Sequence, residues 1–148
     1  MIQTTLVLLK PDTVERSLIG KVIARLEAKW LKIVGLKMMQ LDDAIISEHY
    51  DFLASKPFFP SLKEYMKRTP VIVMAINWAN AISTVRTLTG ATNPVEALPG
   101  SIRWDFGLTI DWNIIHASDT PENAEIELNR FFKWEWIFNY SKVVDVVL

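Results

Sequence analysis

The sequence predicts an α+β sandwich, in which helices pack against a largely antiparallel β-sheet. Apolar residues occur partly in short β-branched runs typical of buried strands and partly at the three- and four-residue spacing of amphipathic helices. These segments follow one another as strand, helix, strand, helices, strand, helix, strand and helix. With 148 residues, the chain fits one domain, residues 1–148, that can bury about two thirds of the surface its unfolded form exposes.

The first predicted strand, Thr4 to Leu9, ends where Pro11 cannot continue a ladder of hydrogen bonds. Lys10 is therefore expected at a strand end. Beyond it, four apolar residues share one face of a predicted helix: Ile19, Val22, Ile23 and Leu26. The middle of the chain is predicted to contain a strand over Leu31–Leu41, a helix capped by Asp42 or Asp43 and running through Tyr50, a helix over Phe58–Met66, a strand over Val71–Ile76 and a helix over Ala79–Leu88.

The segment Gly90–Gly107 contains three glycines and two prolines with little periodicity, which predicts a long ordered loop without a regular element. Asn113 to Ile115 is predicted as a short strand before His116. The last long helix is expected to begin within Ser118–Glu122, where a capping side chain precedes a proline. Its buried face is predicted to consist of Ala124, Leu128, Phe131 and Phe132.

Composition excludes several classes of protein. A formal net charge of −1 provides no broad electropositive face, so we expect no sequence-specific nucleic-acid partner. The chain has no cysteine, which excludes disulfides and thiolate zinc sites and agrees with a cytoplasmic location. It also has no apolar run near the roughly 18 to 20 residues of a membrane span and no basic-then-apolar leader, so neither insertion nor export is expected.

His116 is one of two histidines and lies between an apolar strand and a capped helix start, where catalytic side chains are commonly presented. That position alone favours a structural role over chemistry. Glu127 strengthens the catalytic interpretation, because its helical neighbours Ala124 and Phe131 place it on the buried face. A hydrogen bond from the imidazole would satisfy this carboxylate and leave the other ring nitrogen free to attack phosphorus. The alternative is that Glu127 reaches solvent at the helix edge.

Phosphoryl transfer also requires cations and hydroxyl groups around the phosphates. Lys10, Arg86, Thr92 and Arg103 are the candidates, although each by itself is more typical of a solvated surface group. The Walker pattern and the G-x-G-x-x-G loop are both absent from the sequence. From residue patterns alone, the chain is an α+β domain with a possible anion site.

Eight ordered blocks extend the interpretation, since together they resemble the nucleoside diphosphate kinase family from Thr4 to about Tyr140. The blocks are Leu9-Lys10-Pro11-Asp12, Leu18-Ile19-Gly20, His49-Tyr50, Lys56-Pro57-Phe58-Phe59, Gly90-Ala91-Thr92-Asn93-Pro94, Pro99-Gly100-Ser101-Ile102-Arg103, Asp105-Phe106 and Asn113-Ile114-Ile115-His116-Ala117-Ser118-Asp119. The resemblance implies a ferredoxin-like sandwich with a four-stranded antiparallel sheet covered by helices.

The resemblance also implies the roles of the site residues. His116 would be the nucleophile that becomes phosphorylated, Glu127 would hold its other ring nitrogen, and Ser118 would support this pair. Phosphate and sugar contacts are implied for Lys10, Tyr50, Arg86, Thr92, Arg103 and Asn113. The base would stack on Phe58, with Leu62 and Ile110 completing a slot that tolerates any base.

By the same resemblance, the protein would be a ping-pong kinase acting on nucleoside tri- and diphosphates such as ATP, GTP and GDP. Mg²⁺ would be bound through the nucleotide phosphates rather than by protein ligands, and the chain would form a homo-oligomer, either a hexamer or a tetramer. A rival interpretation is a nucleotide-binding or assembly module that retains the fold with impaired turnover. His49 is expected to be exposed at a polar helix edge, and Phe59 to belong to the core.

The chain departs from the family where Trp30, Trp78 and Trp104 replace residues that are usually glycine. A left-handed backbone at position 30 would cost a bulky residue on the order of 1 to 2 kcal/mol relative to glycine, and Trp104 could crowd the phosphate site beside Arg103. Because the chain has only 5 glycines and 6 tryptophans, we hypothesise that its source reads UGA as glycine.

The codons test this hypothesis directly. We expect UGA at positions 30, 78 and 104 in the coding sequence. The source would read these codons as glycine, and the tryptophans would arise from translating UGA as tryptophan. Sequencing the gene is the measurement, and UGG at the three positions would end the idea.

Overall fold

The computed structural model describes residues 1–147 and contains a four-stranded sheet. Its strands are β1 (Ile2–Leu9), β2 (Lys32–Met39), β3 (Val71–Ala79) and β4 (Ile115–Ala117), arranged in the order β2-β3-β1-β4. Every neighbouring pair is antiparallel. This order, with helices covering the sheet, is the ferredoxin-like sandwich, so the predicted fold class is confirmed.

Eight α-helices connect or follow these strands in the described part of the chain. They are α1 (Pro11–Glu15), α2 (Ile19–Ala28), α3 (Asp43–His49), α4 (Phe59–Lys67), α5 (Ala81–Thr89), α6 (Ile102–Phe106), α7 (Pro121–Phe132) and α8 (Val143–Val147). The Asp42 carboxylate accepts a hydrogen bond from the Ile45 N–H at 2.9 Å and caps α3, as the sequence predicted. Thr120 caps α7 in the same way, with Pro121 in its first turn.

The sheet is buried on both faces because β1 alternates its side chains between two layers of helices. Leu6 and Leu8 pack in a cluster with residues of α3, α4 and α7. Val7 and Leu9 pack on the opposite face with residues of α2, α5 and α6. The inner strand β1 therefore packs against both layers of helices. Its end at Leu9 is fixed by this packing, and so is the start of the segment that follows.

Two predicted boundaries are wrong. The segment Gly90–Gly107 is not free of regular structure, because Ser101 caps α6 by accepting a hydrogen bond from the Trp104 N–H. The strand predicted at Asn113–Ile115 begins only at Ile115 and includes His116. Both errors arise because short elements with one or two turns of apolar spacing have little periodicity to detect.

No helix among residues 1–147 is long and apolar enough to cross a membrane.

Three tryptophans adopt the left-handed backbone that favours glycine: Trp30 at φ +67°, Trp134 at +57° and Trp136 at +60°. Trp30 follows the C-cap of α2, where its N–H donates to the Glu27 carbonyl at 2.9 Å, and its side chain is 60% exposed. Trp104 has no positive φ and lies within α6. Backbone conformation therefore supports glycine at position 30 but not at position 104.

Replacing Trp30 with glycine should raise the free energy of unfolding by roughly 1 kcal/mol, since relief of the left-handed strain outweighs the small loss of burial. Thermal unfolding should show a rise in Tm of about 2 to 4 °C. Trp104→Gly is the matched control, and we expect the opposite sign because glycine weakens a helix. A Tm that falls equally in both variants would contradict this account.

Candidate active site

One open cleft of about 1680 Å³ collects nearly all of the residues predicted to form a site. Eleven of the twelve line it: Lys10, Tyr50, Phe58, Leu62, Arg86, Thr92, Arg103, Ile110, Asn113, His116 and Glu127. They come from strand ends, from helices on both faces and from the loop before α6, so the fold brings together residues that are far apart in sequence.

The backbone before His116 is held in an unusual conformation. Ile114 is fully buried with φ +74°, and the Ile115 N–H donates to the Asn113 carbonyl at 2.8 Å, which closes a three-residue turn. A β-branched residue at positive φ is strained and persists only where its surroundings fix it. The sequence does not predict this turn, since no residue preference indicates it.

Hydrogen bonds to both polar atoms of Ile114 fix that turn. Its N–H donates to the Asp12 carboxylate at 3.0 Å, and its carbonyl accepts from the Lys10 N–H at 2.8 Å and from the Thr13 hydroxyl at 2.6 Å. Asp12 is itself buried and accepts from the Tyr65 hydroxyl at 2.5 Å. The start of α1 thus clamps the entry to β4, and His116 follows two residues later.

His116 and Glu127 form the closest side-chain pair in the cleft. The His116 Nε2 lies 2.5 Å from Glu127 Oε2, and Glu127 is buried on α7. The carboxylate can only accept in its ionised form, so Nε2 carries the proton and Nδ1 keeps a lone pair. This arrangement orients the ring and leaves Nδ1 free to act as a nucleophile. The sequence had predicted the pairing of His116 with Glu127 without assigning the two nitrogens.

Three cations converge beside this pair. Burial and the neighbouring Arg103 charge lower the pKa of Lys10 to about 8. Burial and Arg86 likewise lower the pKa of Arg103 to about 10. Like charges that depress one another in a cleft create a local potential that attracts a polyanion.

Arg103 is fixed by neutral acceptors rather than by a carboxylate. Its guanidinium donates to three backbone carbonyls: Asn113 at 3.2 Å, Gly90 at 3.0 Å and Ile115 at 2.6 Å. Lys10 donates from Nζ to Asn113 Oδ1 at 2.6 Å, and Asn113 Nδ2 donates to the Thr92 carbonyl at 3.0 Å. These bonds orient the cations through neutral acceptors, and the nearby carboxylates Asp12 and Asp111 offset the charge of Lys10 only in part.

Tyr50 adds a neutral donor to the cleft. Burial and the charge of Glu127 hold the pKa of its hydroxyl well above the ordinary range. The hydroxyl oxygen is buried and has no hydrogen-bond partner in the part of the chain that the structure describes. It can therefore donate to a bound anion.

Apolar side chains line another part of the cleft. Phe58 is 51% exposed at the start of α4, Ile110 is also exposed, and Leu62 is half-buried against the core. Phe59 is buried, as predicted. Sequence reasoning missed Trp112, which lines the same cleft and stacks on Tyr65 at a ring distance of 6.2 Å.

Two expectations about neighbouring residues need revision. Ser118 is buried outside the cleft lining, and its hydroxyl accepts from the Leu6 N–H at 3.3 Å rather than bonding to His116 or Glu127. Trp104 does not line the cleft, so it does not crowd the site as the sequence suggested it could.

The prediction that His49 is exposed is wrong. Its side chain is 7% exposed, and its ring lies 4.6 Å from the ring of His116 in an edge-to-face arrangement. The spacing Ile46 to His49 on α3 places both residues on the inner face, a signal that the polar neighbours concealed.

His49, His116 and Glu127 place three possible metal-ligand atoms within 4.8 Å of one another. Two imidazoles and one carboxylate do not match the oxygen ligands that Mg²⁺ requires. Arg130 Nη1 already lies 3.0 Å from His49 Nδ1, and Glu127 is bonded to His116. This group is therefore no magnesium cage.

Comparisons with known proteins agree with this geometry. The family model described as nucleoside diphosphate kinase matches residues 3–137. A nucleoside diphosphate kinase of Roseiflexus castenholzii is 48% identical over 143 residues, which cover 97% of this chain and 96% of the relative. One from Parabacteroides distasonis is 52% identical over 139 residues, covering 94% of this chain and 91% of the relative.

Solved structures show the same likeness in three dimensions. The nucleoside diphosphate kinase of Halobacterium salinarum, solved in complex with CDP, superposes with a TM-score of 0.94 at 38% identity, covering 99% of this chain and 98% of that one. A family member from Babesia bovis gives a TM-score of 0.93 at 35% identity, with 98% of each chain covered. By sequence, fold and the content of its cleft, this chain belongs to the nucleoside diphosphate kinase family.

Proposed function

We propose that the chain is a nucleoside diphosphate kinase that transfers the terminal phosphoryl group of a nucleoside triphosphate to a nucleoside diphosphate through a phosphohistidine at His116. The observation that carries the proposal is the 2.5 Å contact between His116 Nε2 and Glu127 Oε2, which fixes the tautomer and reserves Nδ1 for phosphorus. The cations on the same side of the cleft support it.

The reaction proceeds in two half-reactions. In the first, the Nδ1 lone pair forms a bond to the γ-phosphorus while the bond from that phosphorus to the β,γ-bridging oxygen breaks, and the electron pair leaves with the diphosphate. The ring becomes cationic as Nδ1 is phosphorylated, and Glu127 stabilises that charge through Nε2–H. A second diphosphate then attacks the phosphohistidine, and the bond to Nδ1 breaks.

Lys10, Arg86 and Arg103 stabilise the charge that develops on the phosphoryl oxygens, and their fixed positions avoid reorganisation during transfer. Tyr50, Thr92 and Asn113 supply further donors for phosphate and sugar oxygens. Phe58 would stack the base, with Leu62 and Ile110 enclosing it, which favours broad tolerance because every base has a π-face. The CDP complex of the Halobacterium salinarum relative supports a nucleotide in this cleft.

Family membership implies a divalent metal, and we propose Mg²⁺. The described residues offer it no oxygen cage, so the nucleotide phosphates and water would hold it, where it neutralises phosphate charge. We also propose one domain over residues 1–148, a cytoplasmic location and a homo-oligomer, hexamer or tetramer. Exposed Leu36 and Met38 on the edge strand β2 support self-association.

The nucleophile can be tested with γ-labelled ATP. Wild-type protein should acquire acid-labile phosphate and pass it to GDP, whereas His116→Ala should lose both signals because no other described imidazole in the cleft is accessible. Glu122→Gln, at an exposed position on α7, is the control and should behave as wild type. Transfer that survives in His116→Ala would refute the mechanism, and a wild-type protein that never becomes labelled would favour the rival binding or assembly module.

Nucleotide affinity should fall at alkaline pH. Since the pKa of Lys10 is lowered to about 8, the free protein loses this charge above that pH, whereas bound phosphates restore it. The dissociation constant for ADP should therefore rise about tenfold from pH 7 to pH 9, the factor linkage gives when binding returns the pKa toward its ordinary value. Calorimetric titration measures it. Lys10→Gln should bind weakly at both pH values, and a wild-type constant that is equal at both would contradict the assignment.

A further inference from the structure

One nitrogen of His49 lies close to two groups of opposite charge. Its Nδ1 is 3.0 Å from Arg130 Nη1 and 3.9 Å from Glu127 Oε2. Its ring is enclosed by the rings of Tyr50, Phe131 and His116 at centroid distances of 4.6, 5.1 and 4.6 Å. Arg130 and Glu127 occupy the same helix, α7, three residues apart.

The donor and acceptor roles around His49 follow from chemistry. A guanidinium can only donate, so Nδ1 accepts from Arg130 and the ring proton resides on Nε2. Burial, followed by the neighbouring His116, Arg130 and Lys10, lowers the pKa of His49 to about 2. The ring is therefore neutral near pH 7.

This arrangement has a cost. The His49 Nε2 is buried without a hydrogen-bond partner among the described residues, and an unsatisfied buried donor costs about 1 to 3 kcal/mol. A phenylalanine would fill the same aromatic space without that cost. The advantage of a histidine over a phenylalanine at this position is therefore its Nδ1, which accepts a hydrogen bond from Arg130.

Arg130 already pairs through Nε with the exposed Glu48 carboxylate at 3.2 Å. Without the His49 acceptor, its Nη1 would be free to pair with the buried Glu127 as well. Arginine and carboxylate form strong, often bidentate, charge-assisted pairs, and residues three apart on a helix are neighbours. A guanidinium paired with Glu127 would compete with His116 for the carboxylate. The imidazole would then lose the bond that selects its tautomer.

We propose that His49 is a positioning residue whose Nδ1 engages Arg130 and so reserves the Glu127 carboxylate for His116. The inference deepens the proposed function and rests on it, because it assigns His49 a part in preparing the nucleophile. It acts on His116 through Glu127 and touches no substrate.

The test replaces His49 with phenylalanine, which keeps the ring and removes the acceptor. Single-turnover phosphorylation of His116 by ATP should slow about 10- to 100-fold, the usual effect of losing a residue that orients a reactive group. The dissociation constant for ADP should stay within about twofold, since the phosphate ligands are untouched. His49→Asn should retain most of the rate, because its amide oxygen can accept from Arg130.

The decisive variant is His49→Phe combined with Arg130→Met. Removing the competing cation should restore at least about tenfold of the lost rate, a coupling that a merely structural histidine would not show. The matched control is His49→Phe with Arg68→Met, which removes a cation paired with Glu15 at 2.6 Å instead. It should restore nothing. A double variant with Arg130→Met that is no faster than His49→Phe would overturn the inference.

A spectroscopic measurement separates this inference from the proposed function. In ¹⁵N NMR of labelled imidazoles, His116 should carry its proton on Nε2 in wild type and show mixed tautomers in His49→Phe. An unchanged tautomer would overturn the role of His49 even if the enzyme is active. Failure of wild type to be phosphorylated would instead refute the proposed function, whatever the spectra show.

Discussion

The bond between His116 and Glu127 is the interaction on which the site depends. It joins β4 to α7. The strained turn at Ile114 sets the direction in which β4 begins, and the apolar face of α7 buries the Glu127 carboxylate. A buried carboxylate without a partner would be costly, so the same bond serves stability and chemistry. The ring nitrogen that it leaves free is the one for which we propose phosphorylation.

Around that bond, the fold accumulates features that lower its own stability. Lys10, Arg86 and Arg103 place like charges close together. In addition, His49 and Tyr50 each bury a polar atom without a partner among the described residues. Such costs are typical of sites prepared for a ligand rather than for folding. Because the surrounding sheet is packed on both faces, the remainder of the protein can sustain them.

Much of the fold was predictable, because long segments with clear periodicity dominate it. The strand ending at Leu9, the helix capped by Asp42 and the buried face of α7 were all predicted correctly from local patterns. The short helix α6 was not, since five residues contain too little pattern to detect. Most of the site's members were found through resemblance to a family, which reflects the whole ordered set of motifs rather than any single residue.

The sequence by itself predicted His116, Glu127 and the cations as site residues, because its ordered motifs resemble a family, whereas residue patterns alone indicated only a possible anion site. Only the tertiary structure decided that His49 is buried against His116, that Ile114 is strained and that Arg103 binds backbone carbonyls. The physical reason is range: periodicity reports one element's own inner face, whereas these contacts join elements that meet only after the chain has folded.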